Sequence, residues 1–461
     1  MLEDTLPRAV PIFSRRDLVR LIWPLIIEQA LAITVGLADS MMVASVGESA
    51  VSGVSLVDMI SVLLINVFAA LATGGAVVTS QFIGARDWKT ARRSTDQLVL
   101  VTAALSLLIT VLILGFRTSM LRLFFGKVEP DVMENCLTYV VITAPSYPFI
   151  ALYNSAAAIF RAQGNSRLSM QVSLLMNAIN LGGNAILIYA VGMGVAGVAI
   201  PTLVSRIVAA AVMLALLCRK DQPIRLGPVR GMRPDRRLIF RILTIGIPNA
   251  VENGMFQFGK IIVVGMISGF GTAQITANAM SNNISALSIL MGQAMSLAIV
   301  TVVGQCVGAQ DLRQARGYAL TLTGAGALML TATSGLVMLL LPLIIRLYHA
   351  SPETAGYIRQ VITLNCIAVP LFWAPSFILP GALRAANDVR FTSAAAVFSM
   401  WVFRVGFSYL LGVRLGWGVV GVWAAMFLDW IIRDLFYLPR FLSGAWKRYA
   451  VFRTEPHHID I

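Results

Sequence analysis

The chain has 461 residues, of which 57% are hydrophobic and only 13% charged. Water-soluble domains carry about 25% charged residues, so this composition excludes an ordinary soluble enzyme and predicts a protein whose outer surface contacts lipid. The net charge is +14, but the basic residues lie in short stretches between apolar runs. This is typical of membrane loops, and no nucleic-acid partner is expected.

Twelve apolar segments follow one another along the chain, each of about the 20 residues that cross a bilayer as a helix. Helices are expected because lipid offers no hydrogen-bond partner to an open backbone. The predicted segments are 18–43, 54–81, 96–116, 136–160, 168–190, 195–217, 239–268, 275–305, 318–346, 357–383, 391–412 and 417–440. The sequence therefore predicts an all-α integral membrane protein with twelve transmembrane helices.

The loops between these segments differ in charge from one side to the other. Alternate loops on one side, together with both chain ends, carry 26 Lys and Arg residues, and the loops on the other side carry 6. Basic loops stay in the cytoplasm, which predicts a multi-pass protein of the inner membrane with both termini cytoplasmic. Residues 219–238 are expected to link an N-terminal lobe (1–218) to a C-terminal lobe (239–445), which a tail (446–461) follows.

The second half of the chain repeats the first at a shift of 224 residues. Pro24 falls on Pro248, Glu28 falls on Glu252, and the stretch 81–87 falls on 305–311. Six helices per repeat is an even number, so both halves have the same orientation, related by an axis along the membrane normal. Two pseudo-symmetric six-helix bundles with a substrate cavity between them are predicted.

The order and spacing of several motifs resemble those of the multidrug and toxic compound extrusion (MATE) transporters over essentially all twelve helices. The motifs are Pro24 with Asp39, Gln81-x-x-Gly84-Ala85 with its copy Gln305-x-x-Gly308-Ala309, Arg161-x-x-Gly164, Asn180-x-x-x-Asn184 and Gly194-x-x-Gly197. The resemblance implies two lobes around a V-shaped cavity, and export of cationic or amphiphilic compounds against inward flow of H⁺ or Na⁺. The glycines of the first motif are expected to permit sharp turns.

The resemblance places the coupling carboxylate of the first half at Asp39, with Asn180, Asn184 and Thr202 as its partners. A carboxylate in an apolar cavity can exchange a proton, and with amide oxygens it can hold Na⁺, so Asp39, Asn180 and Asn184 form a possible Na⁺ site. Many relatives have Asp where this chain has Asn184, which leaves one negative charge fewer. The alternatives are a water-exposed Asp at the helix end and simple interhelical hydrogen bonds.

Embedded acids in the two halves are further candidates, because a charged group in a membrane helix is costly. Glu28 and its repeat mate Glu252 are predicted to take part in coupling and to face the substrate cavity. Lys260 is expected there too, where it would pair with Glu252 or be displaced by a cationic substrate. The repeat mates Asp58 and Asn282 are predicted to line the cavity as well.

The sequence favours a secondary antiporter, acting as a monomer in the bilayer, that exports small organic cations. A lipid-linked sugar flippase is the alternative, but it needs several cavity arginines, and Arg206, Arg404 and Arg433 are embedded without repeating between the halves. A membrane enzyme or a channel is the third reading. Four cysteines and three histidines show no catalytic or metal-ligand spacing, so no enzyme activity and no cofactor beyond the coupling ion are predicted.

Overall fold

The computed structural model describes residues 10–126, 129–228 and 232–450, and within these ranges every regular element is a helix. The first half contains α1 Arg15–Ala44, α2 Glu48–Gly84, α3 Trp88–Gly115, α4 Arg117–Phe125, α5 Pro130–Thr143, α6 Tyr147–Ala162, α7 Ser166–Ala185 and α8 Ala196–Leu217. The second half contains α9 Arg236–Ile267, α10 Thr272–Gly308, α11 Leu312–Leu347, α12 Pro352–Ala368, α13 Leu379–Ala385, α14 Val389–Ser399 and α15 Gly418–Leu442.

The predicted all-α membrane fold is confirmed. Among the described residues, eleven helical segments are long and apolar enough to cross a bilayer. The twelfth predicted segment forms α15, a 25-residue helix that carries Asp429, Arg433 and Asp434. Each half therefore contributes six spans, with α1, α2 and α3 of the first half corresponding to α9, α10 and α11 of the second.

Several spans are interrupted where prolines remove backbone donors. The predicted segment 136–160 consists of α5 and α6, joined by a 3₁₀ turn at Ala144–Ser146. The predicted segment 357–383 consists of α12 and α13, joined by a π-helical stretch at Val369–Ile378. The nine-residue α4 was not predicted, because it is too short for a membrane window and buries only Leu121.

The buried apolar residues show that the two halves meet at one end of the molecule and separate at the other. One large cluster contains residues of both halves, among them Leu25, Val77, Ile299 and Leu383. A second cluster lies wholly in the first half, between residues 42 and 199, and a third lies wholly in the second half. The lobes thus form the predicted V, with a joined end where α2 and α10 end and an open end where they begin.

Reciprocal glycine contacts bring the two lobes together at the joined end. A Cβ atom on Gly84 would collide with the backbone of Gln305, and a Cβ atom on Gly308 would collide with the backbone of Gln81. These four residues are repeat mates, so α2 and α10 cross each other about the pseudo-two-fold axis. Glycine is needed here for close helix approach.

The glycines of this motif are therefore not turn residues, and that expectation was wrong. Gly84 and Gly308 are the last residues of α2 and α10. The turns that follow place Arg86 at φ 59° and Gln310 at φ 58°, in the left-handed region that L-residues seldom adopt.

Hydrogen bonds from the same motifs reinforce the contact between the lobes. Gln81 Nε2 donates to the carbonyl oxygen of Ala385 at 2.8 Å, and Gln305 Nε2 donates to the carbonyl oxygen of Ala162 at 2.7 Å. Each glutamine reaches the end of the fourth span of the opposite half. We call these two bonds the reciprocal latch.

The segment between α8 and α9 packs along α3. Gly227 N donates to Asp96 Oδ1 at 2.8 Å, and Arg92 donates through two nitrogens to the carbonyl oxygen of Pro223 at 3.1 and 3.2 Å. The described part of the predicted linker is therefore held against the first lobe.

Candidate functional site

The first lobe gathers Asp39 and its three predicted partners into one cluster. Asn184 Nδ2 donates to Asp39 Oδ1 at 2.8 Å. In the amide orientation that satisfies its hydrogen bonds, Asn180 donates to both carboxylate oxygens of Asp39 at 3.0 Å and accepts from Thr202 Oγ1 at 3.1 Å. We call these four residues the Asp39 cluster.

Three helices build the Asp39 cluster from different parts of the chain. α1 supplies Asp39, α7 supplies both amides one turn apart on one face, and α8 supplies Thr202. Asn184 is fully buried, and its Oδ1 atom has no hydrogen-bond partner among the described residues. One buried acceptor therefore lies beside the carboxylate, which is the kind of group that a proton donor or a cation can engage.

A second carboxylate of the same lobe lies near the Asp39 cluster. Tyr139 Oη donates to Asp58 Oδ1 at 3.1 Å. Arg206 donates to Ser146 Oγ at 2.8 Å and lies within electrostatic range of both Asp39 and Asp58. The embedded groups around this site are therefore two carboxylates and one guanidinium.

Glu28 and Glu252 lie in matching ion pairs, one in each lobe. Arg161 lies 3.7 Å from Glu28 Oε1, and Ser169 donates to Glu28 Oε2 at 3.0 Å. In the second lobe the same environment recurs around Glu252 with residues from α13 and α14. The two arginines end the fourth span of each half, and the loop position assigned to them from the sequence gave no sign of an inward partner.

The second ion pair is tighter than the first. Arg384 donates to Glu252 Oε1 at 2.7 Å, and Ser393 donates to Glu252 Oε2 at 3.0 Å. Glu252 therefore pairs with Arg384 and not with Lys260. The serines and the glutamates are offset by 224 residues, and the arginines by 223.

A central cavity of about 260 Å³ lies between the lobes. The first lobe contributes residues of α2 and α6, including Asn66 and Arg161, and the second lobe contributes residues of α9 to α15, including Glu252 and Phe256. Glu28 contacts this cavity only through Arg161. The cavity therefore has mixed polarity, with polar amides and one ion pair beside aromatic rings.

The other predicted cavity residues lie elsewhere. Lys260 and Asn282 line a separate pocket of about 50 Å³ in the second lobe, together with Arg404. Asp58 lies in the first lobe beside Tyr139. The five residues that the sequence assigned to one cavity thus occupy three places.

A buried network in the second lobe was missed by the sequence reasoning. Arg433 Nε donates to Asp429 Oδ1 at 3.0 Å, Ser399 Oγ donates to the same oxygen at 2.6 Å, and Ser376 Oγ donates to Asp434 Oδ1 at 2.7 Å. The spacing of Asp429 and Arg433, four residues apart on an apolar helix, could have indicated this ion pair.

Comparison with known families identifies the protein. The MatE family model matches residues 24–186 and again residues 248–410, and the second match begins and ends 224 residues after the first. The chain belongs to the MatE family. It is a multi-pass membrane transporter, and the resemblance drawn from its motifs is confirmed.

Relatives of this MatE transporter match it over nearly their whole length. The uncharacterized transporter YisQ of Bacillus subtilis is 26% identical, over 93% of this chain and 94% of its own. The probable multidrug resistance protein NorM of Thermotoga maritima is 24% identical, over 99% of this chain and 98% of its own.

Solved MatE structures share the fold. An outward-facing conformation of a multidrug resistance MATE family transporter of the MOP superfamily superimposes with a TM-score of 0.86 at 22% identity, covering 94% of this chain and 96% of that chain. A crystal structure of MATE in the bent conformation gives a TM-score of 0.84 at 21% identity, over 95% of this chain and 97% of that chain.

Proposed function

We propose that this MatE transporter is an antiporter that extrudes small organic cations from the cell in exchange for H⁺ or Na⁺. The Asp39 cluster is the observation that carries this proposal. A carboxylate at membrane depth is costly, and here it is held by two amides and a hydroxyl. Such a site can take up a proton or a hard cation and release it again.

The sidedness follows from the loop charges. The loops at the joined end include 86–93, 161–167, 313–316 and 384–390, all of which carry Lys or Arg. The positive-inside rule assigns such loops to the cytoplasm. On that basis the joined end is cytoplasmic, both termini are cytoplasmic, the membrane is the inner membrane, and the cleft opens outward.

Exchange would arise from competition at shared carboxylates. A cationic cargo is attracted by Asp39, Asp58 and Glu252, and occupation of Asp39 by H⁺ or Na⁺ removes part of that attraction. Cargo then leaves toward the open end, and the ion-loaded protein returns. Each ligand lowers the affinity for the other by the same factor, which is the thermodynamic basis of coupling. We propose that a single chain completes this cycle.

A flippase is not favoured. Arg433 lines the central cavity, but Asp429 neutralises it at 3.0 Å. Arg384 is neutralised by Glu252 at 2.7 Å. These arginines are therefore already engaged, whereas a pyrophosphate group needs several free donors. The relatives named as multidrug resistance proteins also support extrusion of drug-like compounds.

The proposal is tested in proteoliposomes by efflux of a fluorescent organic cation, under a pH gradient alone and then under a Na⁺ gradient alone. The gradient that drives efflux identifies the coupling ion. Asp39→Asn is expected to reduce driven efflux to the level of protein-free liposomes. Asp131→Asn, an exposed acid at the start of α5, is the matched control and should transport like the wild type. Wild-type efflux by Asp39→Asn would contradict the proposal.

A further inference from the structure

The second lobe contains a counterpart of the Asp39 cluster with different chemistry. At the 224-residue shift, Asp39 corresponds to Val263, Asn180 to Arg404, Asn184 to Ser408 and Thr202 to Met426. The carboxylate is lost, and a guanidinium stands where an amide stood. This position has therefore changed from attracting cations to attracting anions.

These counterpart residues line the small pocket of the second lobe. Val263, Arg404 and Met426 are among its lining residues, as is Asn282, the repeat mate of Asp58. Lys260 also lines it and stands where the first half has Gly36. The pocket thus gains two cations and loses two carboxylates relative to its mate.

Neither cation has a carboxylate at ion-pair distance among the described residues. The Arg404 guanidinium lies 5.2 Å from the centre of the Phe256 ring, and the Lys260 ammonium lies 5.5 Å from the same centre. Asp429 acts on Arg404 electrostatically, but its hydrogen-bonded partner is Arg433 at 3.0 Å. Phe256 offers only its π face to the two charges.

The remaining embedded bases of this lobe are paired, which sets these two apart. Arg384 contacts Glu252 at 2.7 Å, and Arg433 contacts Asp429 at 3.0 Å. Uncompensated charges in an apolar setting are strongly unfavourable unless a counter-charge arrives. Two neighbouring cations that also repel each other increase the need for an anion.

The walls and the size of the pocket restrict the ligand. Its volume of about 50 Å³ holds only a few water-sized atoms. Trp423 Nε1 donates to Asn278 Oδ1 at 3.0 Å, so this amide oxygen is occupied and turned away from an anion. Lys260 and Asn282 are exposed, which leaves an entrance open.

We propose that this pocket binds a small monovalent anionic group between Arg404 and Lys260. The group is either a free halide or the carboxylate of an amphoteric cargo. A carboxylate here would lie across the cleft from Asp39 and Asp58, so one molecule bearing an ammonium and a carboxylate could engage both lobes. The anion site itself does not depend on the direction of transport or on the coupling ion.

Binding is measured by isothermal titration of sodium chloride into the purified protein in a buffer free of other small anions. The wild type is expected to show one saturable site. Arg404→Gln and Lys260→Gln should each weaken chloride binding by about tenfold or more, because each removes a charge-assisted contact, and Arg404→Lys should retain much of it. Arg414→Gln, an exposed arginine further along the same span, is the matched control.

A second measurement distinguishes the two sources of the anion. Rhodamine 110 carries a free carboxylate, and rhodamine 123 is its methyl ester, so the pair differs only at that group. If cargo supplies the anion, Arg404→Gln weakens binding of rhodamine 110, measured by fluorescence anisotropy, and leaves rhodamine 123 unchanged. If a free halide is the ligand, chloride binding alone depends on Arg404.

The proposal is overturned if chloride and rhodamine 110 bind to Arg404→Gln and Lys260→Gln as they do to the wild type, or if neither binds saturably to the wild type. Should Arg404→Gln fail to purify as a single species, Lys260→Gln carries the same comparison. All these measurements are made without a gradient, so their failure would leave the Asp39→Asn efflux result untouched.

Discussion

At the scale of single residues, the two asparagines give the Asp39 cluster its versatility. An amide has a donor and an acceptor on one planar group. Its nitrogen can donate to an ionised Asp39, as Asn184 does at 2.8 Å, and after rotation its oxygen can face a proton or a cation. An aspartate in place of Asn184 would instead place two like charges side by side, and they would compete for one proton.

This view predicts that the carboxylate can change places with the amide. Asp39→Asn with Asn184→Asp keeps one carboxylate and one amide in the cluster, so it should recover part of the gradient-driven efflux lost in Asp39→Asn alone. The measurement is proteoliposome efflux. In the matched control, Asp39→Asn is combined with Asn154→Asp, which adds a carboxylate on α6 outside the cluster. Equal rates for the two double variants would contradict a role for the cluster.

The twin ion pairs predict unequal effects on stability. Breaking a buried pair leaves an uncompensated charge and costs about 3 kcal/mol. Glu252→Gln should therefore lower the thermal midpoint of the purified protein, and Glu252→Gln with Arg384→Gln should recover part of the loss. Glu28→Gln should have a smaller effect, because its pair is 3.7 Å apart against 2.7 Å. A double variant less stable than Glu252→Gln would contradict this account.

The residues of the Asp39 cluster could be named from the sequence, whereas the partners of the glutamates could not. Asn180 and Asn184 share a helix face by spacing alone, and the family motif linked them to Asp39. Arg161 and Arg384 are each more than 130 residues away from their glutamates, and no periodicity encodes that contact. Lys260, two turns from Glu252, looked like the nearer partner, but its side chain contacts Phe256.

At the scale of helices, α2 and α10 decide how the lobes meet. Both are 37 residues long, well beyond the 20 or so that a bilayer requires. Hydropathy located the apolar centres of these helices but not their ends, because the extra turns lie in loop-like polar sequence. The close crossing at Gly84 and Gly308 also escaped prediction, since a glycine at a helix end reads equally well as a turn.

The glycine crossing predicts that an added methyl group will drive the lobes apart at the joined end. Gly308→Ala would clash with the backbone of Gln81, so conformations closed at the opposite end should become more populated. Spin labels at positions 48 and 272, the first residues of α2 and α10, would report a shorter distance by double electron–electron resonance in a background without the four native cysteines.

The matched control for this crossing is Gly335→Ala on α11, where an added Cβ would meet no atom within 4 Å. Its label-to-label distances should equal those of the wild type. Unchanged distances in Gly308→Ala would show that the crossing tolerates the methyl group and does not set the conformational equilibrium.

At the scale of the whole molecule, the 224-residue repeat predicted two lobes and one axis correctly, but not where the lobes differ. Repeat mates share a backbone position while their side chains have diverged, as at Asn180 and Arg404. The reciprocal latch keeps the symmetry, whereas the embedded charges do not. Symmetry in this fold is therefore strongest where the lobes touch and weakest where ligands would enter.

The reciprocal latch predicts a measurable shift in the closed population. Gln81→Leu or Gln305→Leu removes one interlobe hydrogen bond, worth about 1 kcal/mol, so the state open at the joined end should rise about fivefold. Alkylation of a cysteine at position 80, buried there in this structure, should accelerate by that factor. Gln163→Leu is the control, since its amide nitrogen has no partner among the described residues. Equal rates in all variants would contradict the latch.

The length of α2 and α10 has a mechanical consequence. At 1.5 Å per residue, each 37-residue helix extends about 55 Å from its tight crossing. A tilt of about 10° around that pivot therefore displaces the far tip by roughly 10 Å. Ångström-scale repacking of two glycine contacts is thus geared up into the opening or sealing of an entire vestibule.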